Sequence, residues 1–442
     1  MIVLWSMLTV SLLAAGIADA TMATQAQRVR AAGIDVVTYR TGVKDVVVLI
    51  GVLPAGDAMA GGGNIAVPTL VGMMLDRGTK TLDKYAIADQ LESVGAEVAF
   101  GVGIQSLEIR AKCLRKDLPM VMGLIGAELR TPALQPAEFA KAKQQFIGSL
   151  QASLQNTEGR AQEAFGRSIY PDSHPNHPHS VAEYIAAAKV ATVDELKAFH
   201  ARYYGPAHMT LVLAGDVSAD SVQTEVTKAF AGWTGGENYR IPQHPAGPSG
   251  PRETSVPLAD KPSVSIVIGQ ATGLQYRDPD ALALRMGTAI LGHGFTGRLM
   301  GAVRDREGLT YNIGAAVSQD TIADGAWEVS ASFAPALLDQ GIAATRREVQ
   351  HWWSEGITET ELADHKQGLV GGYRVGLATT AGLASTIVTT LQRGYDLTWL
   401  DDYPKALRAL TRAQVNTAIK AHLDPAAMVL VEAGSIAAQG RR

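Results

Sequence analysis

Tyr204-Gly205-Pro206-Ala207-His208-Met209-Thr210-Leu211-Val212-Leu213-Ala214-Gly215-Asp216-Val217 has an echo near the C-terminus, Leu423-Asp424-Pro425-Ala426-Ala427-Met428-Val429-Leu430-Val431-Glu432-Ala433-Gly434-Ser435-Ile436. The interval from Pro206 to Pro425 equals that from Gly215 to Gly434. Each copy reads as Pro-x-x-Met, then a short buried strand, then a glycine turn. A second pair stands in the same order: Glu138-Phe139-Ala140-Lys141-Ala142-Lys143-Gln144 and Glu361-Leu362-Ala363-Asp364-His365-Lys366-Gln367. Two matched blocks this far apart indicate a tandem duplication of one domain rather than a short-period solenoid.

The elements between the blocks follow one plan. Strand signals come first, at 45–52 and 263–268. A helix follows, then alternating strands at 96–111 in one half and at 308–317 and 326–333 in the other. Amphipathic helices come next, such as 118–129 and 337–354, and a strand closes each half. Strands and helices alternate in runs rather than as strict βαβ units. The expectation is an α+β protein of two homologous domains, each a mostly antiparallel sheet covered on one face by helices. The first would span 30–232 and the second 263–436. Between them, 233–262 is rich in Pro and Gly and reads as an extended, semi-rigid linker without regular structure.

The chain has 442 residues, 47% of them hydrophobic and 19% charged, with a net charge of −4. That is globular composition with ample apolar material for a core. No basic run stands out, so nothing points to nucleic acid as a partner. Residues 2–17 are almost wholly apolar and lead into Ala18-Asp19-Ala20, which reads as a secretory signal peptide over 1–20. No Lys or Arg precedes Arg28, so an uncleaved anchor is the alternative; the run is short for a bilayer span, and no other stretch approaches that length. Cys113 is the only cysteine, which excludes an internal disulfide. It sits in an alternating strand pattern and is expected in the core.

Several motifs bear on chemistry. His174-Pro175-Asn176-His177-Pro178-His179 is the one histidine cluster, and its prolines make it a constrained turn rather than a metal site. Gly61-Gly62-Gly63-Asn64 and Gly292-His293-Gly294-Phe295-Thr296-Gly297 lack phosphate-loop spacing and read as flexible turns. No Gly-x-Ser-x-Gly elbow is present. Pro68 to Thr79 has the frame of an inverted zinc motif, His-x-x-Glu-His, in which two imidazoles one helical turn apart hold the metal and the Glu polarises water. With Met74-Leu75-x-Arg77-Gly78-Thr79 kept in register, the three functional positions are Thr69, Gly72 and Met73, and none of them suits zinc.

These residues resemble the pitrilysin/insulinase family of zinc metallopeptidases, and most closely its short-chain branch of processing-peptidase and two-subunit bacterial enzymes. Further blocks carry the resemblance: Gly95-Ala96-Glu97-Val98, the run Phe199 to Pro206 leading into Gly215-Asp216-Val217, Leu291 to Leu299, and Val303-Arg304-Asp305-Arg306-Glu307-Gly308-Leu309-Thr310-Tyr311. The resemblance covers about residues 30–435. It implies a third zinc ligand, a Glu, at the position held here by Gly148 or Ser149, so every metal and base position is replaced. It also implies a role for Arg304 and Tyr311. In two-chain members such an Arg-Tyr pair reaches into the partner's active site and contacts the substrate carbonyl or oxyanion, for which a guanidinium and a phenol are suitable donors. The residues alone leave another reading open: Arg304 pairs with Asp305 or Glu307, and Tyr311 packs in its strand.

The resemblance therefore implies a noncatalytic subunit of a heterodimeric zinc metallopeptidase, exported to the periplasm. It would hold no cofactor itself. Its partner would be a homologous subunit bearing HxxEH and the zinc, and the substrates would be peptides. The alternative is a structural or peptide-binding scaffold with no part in proteolysis.

Overall fold

Val46-Val47-Val48-Leu49-Ile50-Gly51-Val52-Leu53 carries no charge and no alternation, the pattern of a strand covered on both faces. In the computed structural model, which describes residues 21–237 and 245–436, it lies in the middle of a six-stranded sheet. The order is β1 (Ala26–Ala31), β2 (Ile34–Arg40), β6 (Thr210–Gly215), β3 (Val46–Leu53), β5 (Leu107–Leu114) and β4 (Glu97–Val102). All neighbours are antiparallel except β2 and β6.

The second sheet repeats this order with one strand fewer: β7 (Arg252–Pro257), β11 (Val429–Gly434), β8 (Val264–Ala271), β10 (Ala326–Phe333) and β9 (Thr310–Ser318). Again only the outer pair, β7 with β11, is parallel. The direction of the echoed strand against its two neighbours repeats too. Thr210 opens β6 opposite Val52, and Val429 opens β11 opposite Gly269. The two halves are thus the same α+β unit twice, and the echoed segments are the strands β6 and β11.

One face of each sheet is covered by helices of its own half, with Leu118–Arg130 and Val193–Tyr203 on the first and Ala281–Gly292 and Leu338–Glu355 on the second. The other face is covered as well, and here the expectation of one covered face fails. The helix Thr380–Gln392, from the second half, lays Leu383, Ala384, Ile387 and Val388 on Val37, Val48, Ile50 and Val212 of the first sheet. In return the helix Thr157–Ile169, from the first half, lays Ala161, Phe165 and Ile169 on Val267, Val429 and Val431 of the second. Phe165 lies over Gly269, where an added Cβ would stand 3.0 Å from its ring and would also strike the Trp327 carbonyl. Burial on both faces is why β3, β8 and β11 are uniformly apolar or buried rather than alternating.

The 233–262 stretch is not wholly irregular. Residues 238–244 lie outside the described part, but β7 falls inside this stretch and closes the second sheet. As an edge strand it tolerates Pro257 at its end. The first sheet also begins at Ala26, ahead of the boundary drawn at 30. Cys113 is buried in the core of the first half, and burial pushes its thiol up to about 11. The proposed signal peptide, 1–20, lies outside the described residues. Among the described residues no helix is long and apolar enough to cross a membrane.

Candidate functional site

The short helix Val67–Gly72 starts with Pro68 in its first turn, where a missing N–H costs nothing. The Met73 amide donates to the Thr69 carbonyl at 3.0 Å, so the two positions stand one turn apart. The side chains do not fit a metal. Thr69 Oγ1 donates to Asp57 Oδ1 at 3.0 Å. Gly72 is buried, and the space where a side chain would begin is filled by Val102 of β4. Met73 is half-buried, and its carbonyl accepts from Arg77 Nε at 2.9 Å. On the helix Pro136–Ser153, Ser149 is exposed and donates to the Phe146 carbonyl at 2.8 Å, while Gly148 faces open space. These four positions offer zinc one occupied hydroxyl, no side chain, a thioether and a turned-away serine. A catalytic zinc needs three ligands from Cys, His, Asp or Glu and an open place for water, so the set does not fit. Among the described residues no group of three or more His, Cys, Asp or Glu stands where it could hold a metal.

What occupies the place instead is a carboxylate. Asp57 accepts from Thr69 on one oxygen and from Tyr184 Oη, at 3.1 Å, on the other. Burial pushes its carboxyl up to about 6, against the two hydrogen bonds that favour the charged form. Asp57 and Tyr184 border a cleft of about 480 Å³ whose rim is Gly61, Gly62 and Gly63 on one side and Pro178 and His179 on the other. Two stretches that the sequence leaves separate, the glycine turn and the histidine turn, therefore meet here. Burial lowers the pKa of His179. His174 does a different job: its Nε2 lies 2.8 Å from Asp324 Oδ1, and Asn176 Nδ2 donates to the Gln319 and Asp324 carbonyls. The histidine turn is thereby fixed to the second half. Nothing in the sequence marks Asp57 or Tyr184, which stand far apart along the chain.

Arg304 and Tyr311 are brought together. Arg304 lies in a π-helical segment, Met300–Arg306, a rare conformation that recurs at functional sites. Tyr311 is at the start of the edge strand β9. The Arg304 guanidinium lies 5.3 Å from the ring centroids of both Tyr311 and Phe295. Tyr311 is 85% exposed and Phe295 75% exposed. Arg304 also reaches Asp305 at 3.8 Å, the remnant of the ion-pair reading. Tyr311 does not pack within its sheet. Loop and strand come this close because Gly292 and Gly297 touch each other, and Gly292 presses on the Ala315 backbone, leaving no room for a Cβ.

Residues 191–369 match the peptidase M16 inactive domain. The chain is 22% identical over 376 residues, 83% of this chain and 85% of the other, to the non-peptidase homolog YmxG of Helicobacter pylori. It is 23% identical, over 71% of this chain and 69% of the other, to an uncharacterized zinc protease of Streptomyces coelicolor. The crystal structure of a peptidase M16 inactive domain from Pseudomonas fluorescens superimposes with a TM-score of 0.85 at 24% identity, covering 94% of this chain and 99% of that one. The periplasmic protease PqqL of Escherichia coli superimposes with a TM-score of 0.74 at 16% identity, this chain spanning 46% of it. Residues 191–369 thus match an M16 inactive domain, and the chain as a whole is similar to proteins of the M16 group, the pitrilysin/insulinase peptidases, while its sequence carries no HxxEH motif.

Proposed function

We propose that this chain is the noncatalytic subunit of a heterodimeric zinc metallopeptidase, completing a peptide-binding chamber and lending Arg304 and Tyr311 to the active site of an HxxEH-bearing partner. The observation that carries the reading is the Arg304–Tyr311 pair. Two strong hydrogen-bond donors stand side by side, and the phenol is turned almost wholly to solvent rather than into the core. A Tyr left in water on an edge strand contributes little to folding, but it suits contact with a second surface. Donors held at fixed places could stabilise an oxyanion forming on a peptide bound between the two chains. The zinc and the water-activating Glu would come from the partner, since Thr69, Gly72, Met73 and Ser149 supply neither. The apolar 2–17 segment supports export to the periplasm, where the similar PqqL is described as residing.

The test is peptide hydrolysis by this chain, by an HxxEH-bearing homologue from the same cell, and by their mixture, each with and without chelator. The reading expects turnover from the mixture that exceeds the partner alone and vanishes with chelator. Arg304→Ala and Tyr311→Phe should then cut kcat by about 10²-fold each while the chains still co-elute. Co-elution with unchanged turnover in both variants would leave a scaffold role. Failure to co-elute would overturn the shared site.

A further inference from the structure

A pair of cavities in the second half is separate from the Arg304 region and from the cleft at Asp57. Tyr276, Arg393 and Tyr403 form the partition between spaces of about 400 and 280 Å³. The larger is walled by Tyr373, Trp399 and Tyr403 and edged by Ser385, Thr386 and Thr389. Those hydroxyls lie on the helix Thr380–Gln392, opposite the face that covers the first sheet. Its volume falls in the range of small-molecule sites.

The chemistry is that of an anion site. Arg393 lies over the Tyr276 ring at 3.5 Å, and Arg285 lies over the same ring at 4.6 Å. Arg285 is neutralised by Asp320. Among the described residues the Arg393 side chain makes no ion pair and no hydrogen bond; the carboxylate whose charge it feels, Asp320, is already bound to Arg285, and the Arg393 Nε is shut off from water. Tyr403, beside it, has no hydrogen-bond partner for its hydroxyl among the described residues, whereas the Tyr373 hydroxyl is committed to the Leu400 carbonyl at 2.9 Å. A guanidinium left without an acceptor is costly, and its fork matches a carboxylate in two parallel bonds. One uncompensated cation calls for one negative charge, which favours a carboxylate over a doubly charged phosphate. The aromatic walls call for an apolar body on that carboxylate.

We propose that this cavity binds a carboxylate with an aromatic or apolar body, its charge on Arg393 and its body against Tyr373, Trp399 and Tyr403. The inference does not rest on the subunit reading. The ligand is a free acid or the C-terminus of a short peptide, which share this chemistry.

The test is titration of the full chain, followed by Trp fluorescence and calorimetry, with four probes: N-acetylphenylalanine, its amide, a tetrapeptide ending in phenylalanine, and that tetrapeptide amidated. The site expects one or both acids to bind and each matching amide to bind about tenfold or more weakly. Binding of the acid of either size supports the site, and the pattern tells which source it takes. Arg393→Gln should cause the same loss. Ser385→Trp fills the mouth from an exposed helix position and should abolish binding without lowering the melting temperature, which keeps the test valid if Arg393→Gln does not fold. Equal binding of acids and amides, binding that survives both substitutions, or no binding of either acid at millimolar concentration would each overturn the proposal.

Discussion

Replacing Asp57 by Asn should stabilise the protein near neutral pH and not in acid. In the folded chain burial raises this carboxyl from 3.8 to about 6. Between those values the folded state binds more protons than the unfolded one, so stability falls as pH rises through the window and is level above it. A shift of about two units corresponds to about 3 kcal/mol, the cost of holding the charge away from water. Asn keeps an acceptor for one of the two donors, Thr69 and Tyr184, and carries no charge. The wild type and Asp57→Asn should therefore be close in stability near pH 4, and the variant should gain up to about 3 kcal/mol near pH 7.5. Urea unfolding of both proteins across this range measures the difference directly, and other titrating groups cancel. A difference that is flat with pH, or that favours the wild type more strongly at high pH, would refute the argument. It would mean that the two hydrogen bonds outweigh burial.

Glu128 should behave in the same sense at higher pH. It is 1% exposed, Oε2 has no partner, and burial with Asp76 nearby pushes the carboxyl up to about 8. Stability should fall as pH rises from about 4.5 through 8, and Glu128→Gln should escape that loss, read as a melting-temperature difference that opens above neutrality. Restoring the motif by Thr69→His, Gly72→Glu and Met73→His should not restore zinc binding in calorimetry. Gly72→Glu alone should cost about 1–3 kcal/mol, because Val102 fills the space it needs. Phe165→Ala should cost about 3–5 kcal/mol and Ile387→Ala about 2–5 kcal/mol, measured by chemical denaturation, although each residue packs on the sheet of the other half. Cys113 should resist iodoacetamide near pH 8 in the folded chain and react on unfolding, because its thiol is buried and pushed up to about 11.

The duplication was legible because β6 and β11 keep their flanking Pro, Met and Gly at fixed places, and turn chemistry leaves residue-specific marks. The hairpin of β1 and β2 is carried by Ala32 and Gly33, both at positive φ. Only the Gly marks such a turn in a sequence, and the charged outer strand hides the rest. β7 was lost because an edge strand bounded by prolines looks like linker. The replaced metal positions could be read from spacing alone, since absence of a ligand is a property of the residue type. Asp57 could not, because its role comes from lying within hydrogen-bond reach of Thr69 and Tyr184, residues on two different helices. The crossed packing of Thr157–Ile169 and Thr380–Gln392 was equally hidden. An apolar helix face says that something will cover it, and not which sheet.

That crossing has a consequence for how the chain comes to be folded. The outer face of the first sheet, complete in sequence once β6 has been made, stays bare until residues near 392 emerge from the ribosome. The early half is then a nascent surface of Val37, Val48, Ile50 and Val212 open to other chains. Neither half cut out at the 238–244 segment should be soluble by itself, yet the two fragments made together should reassemble, each supplying the cover the other lacks.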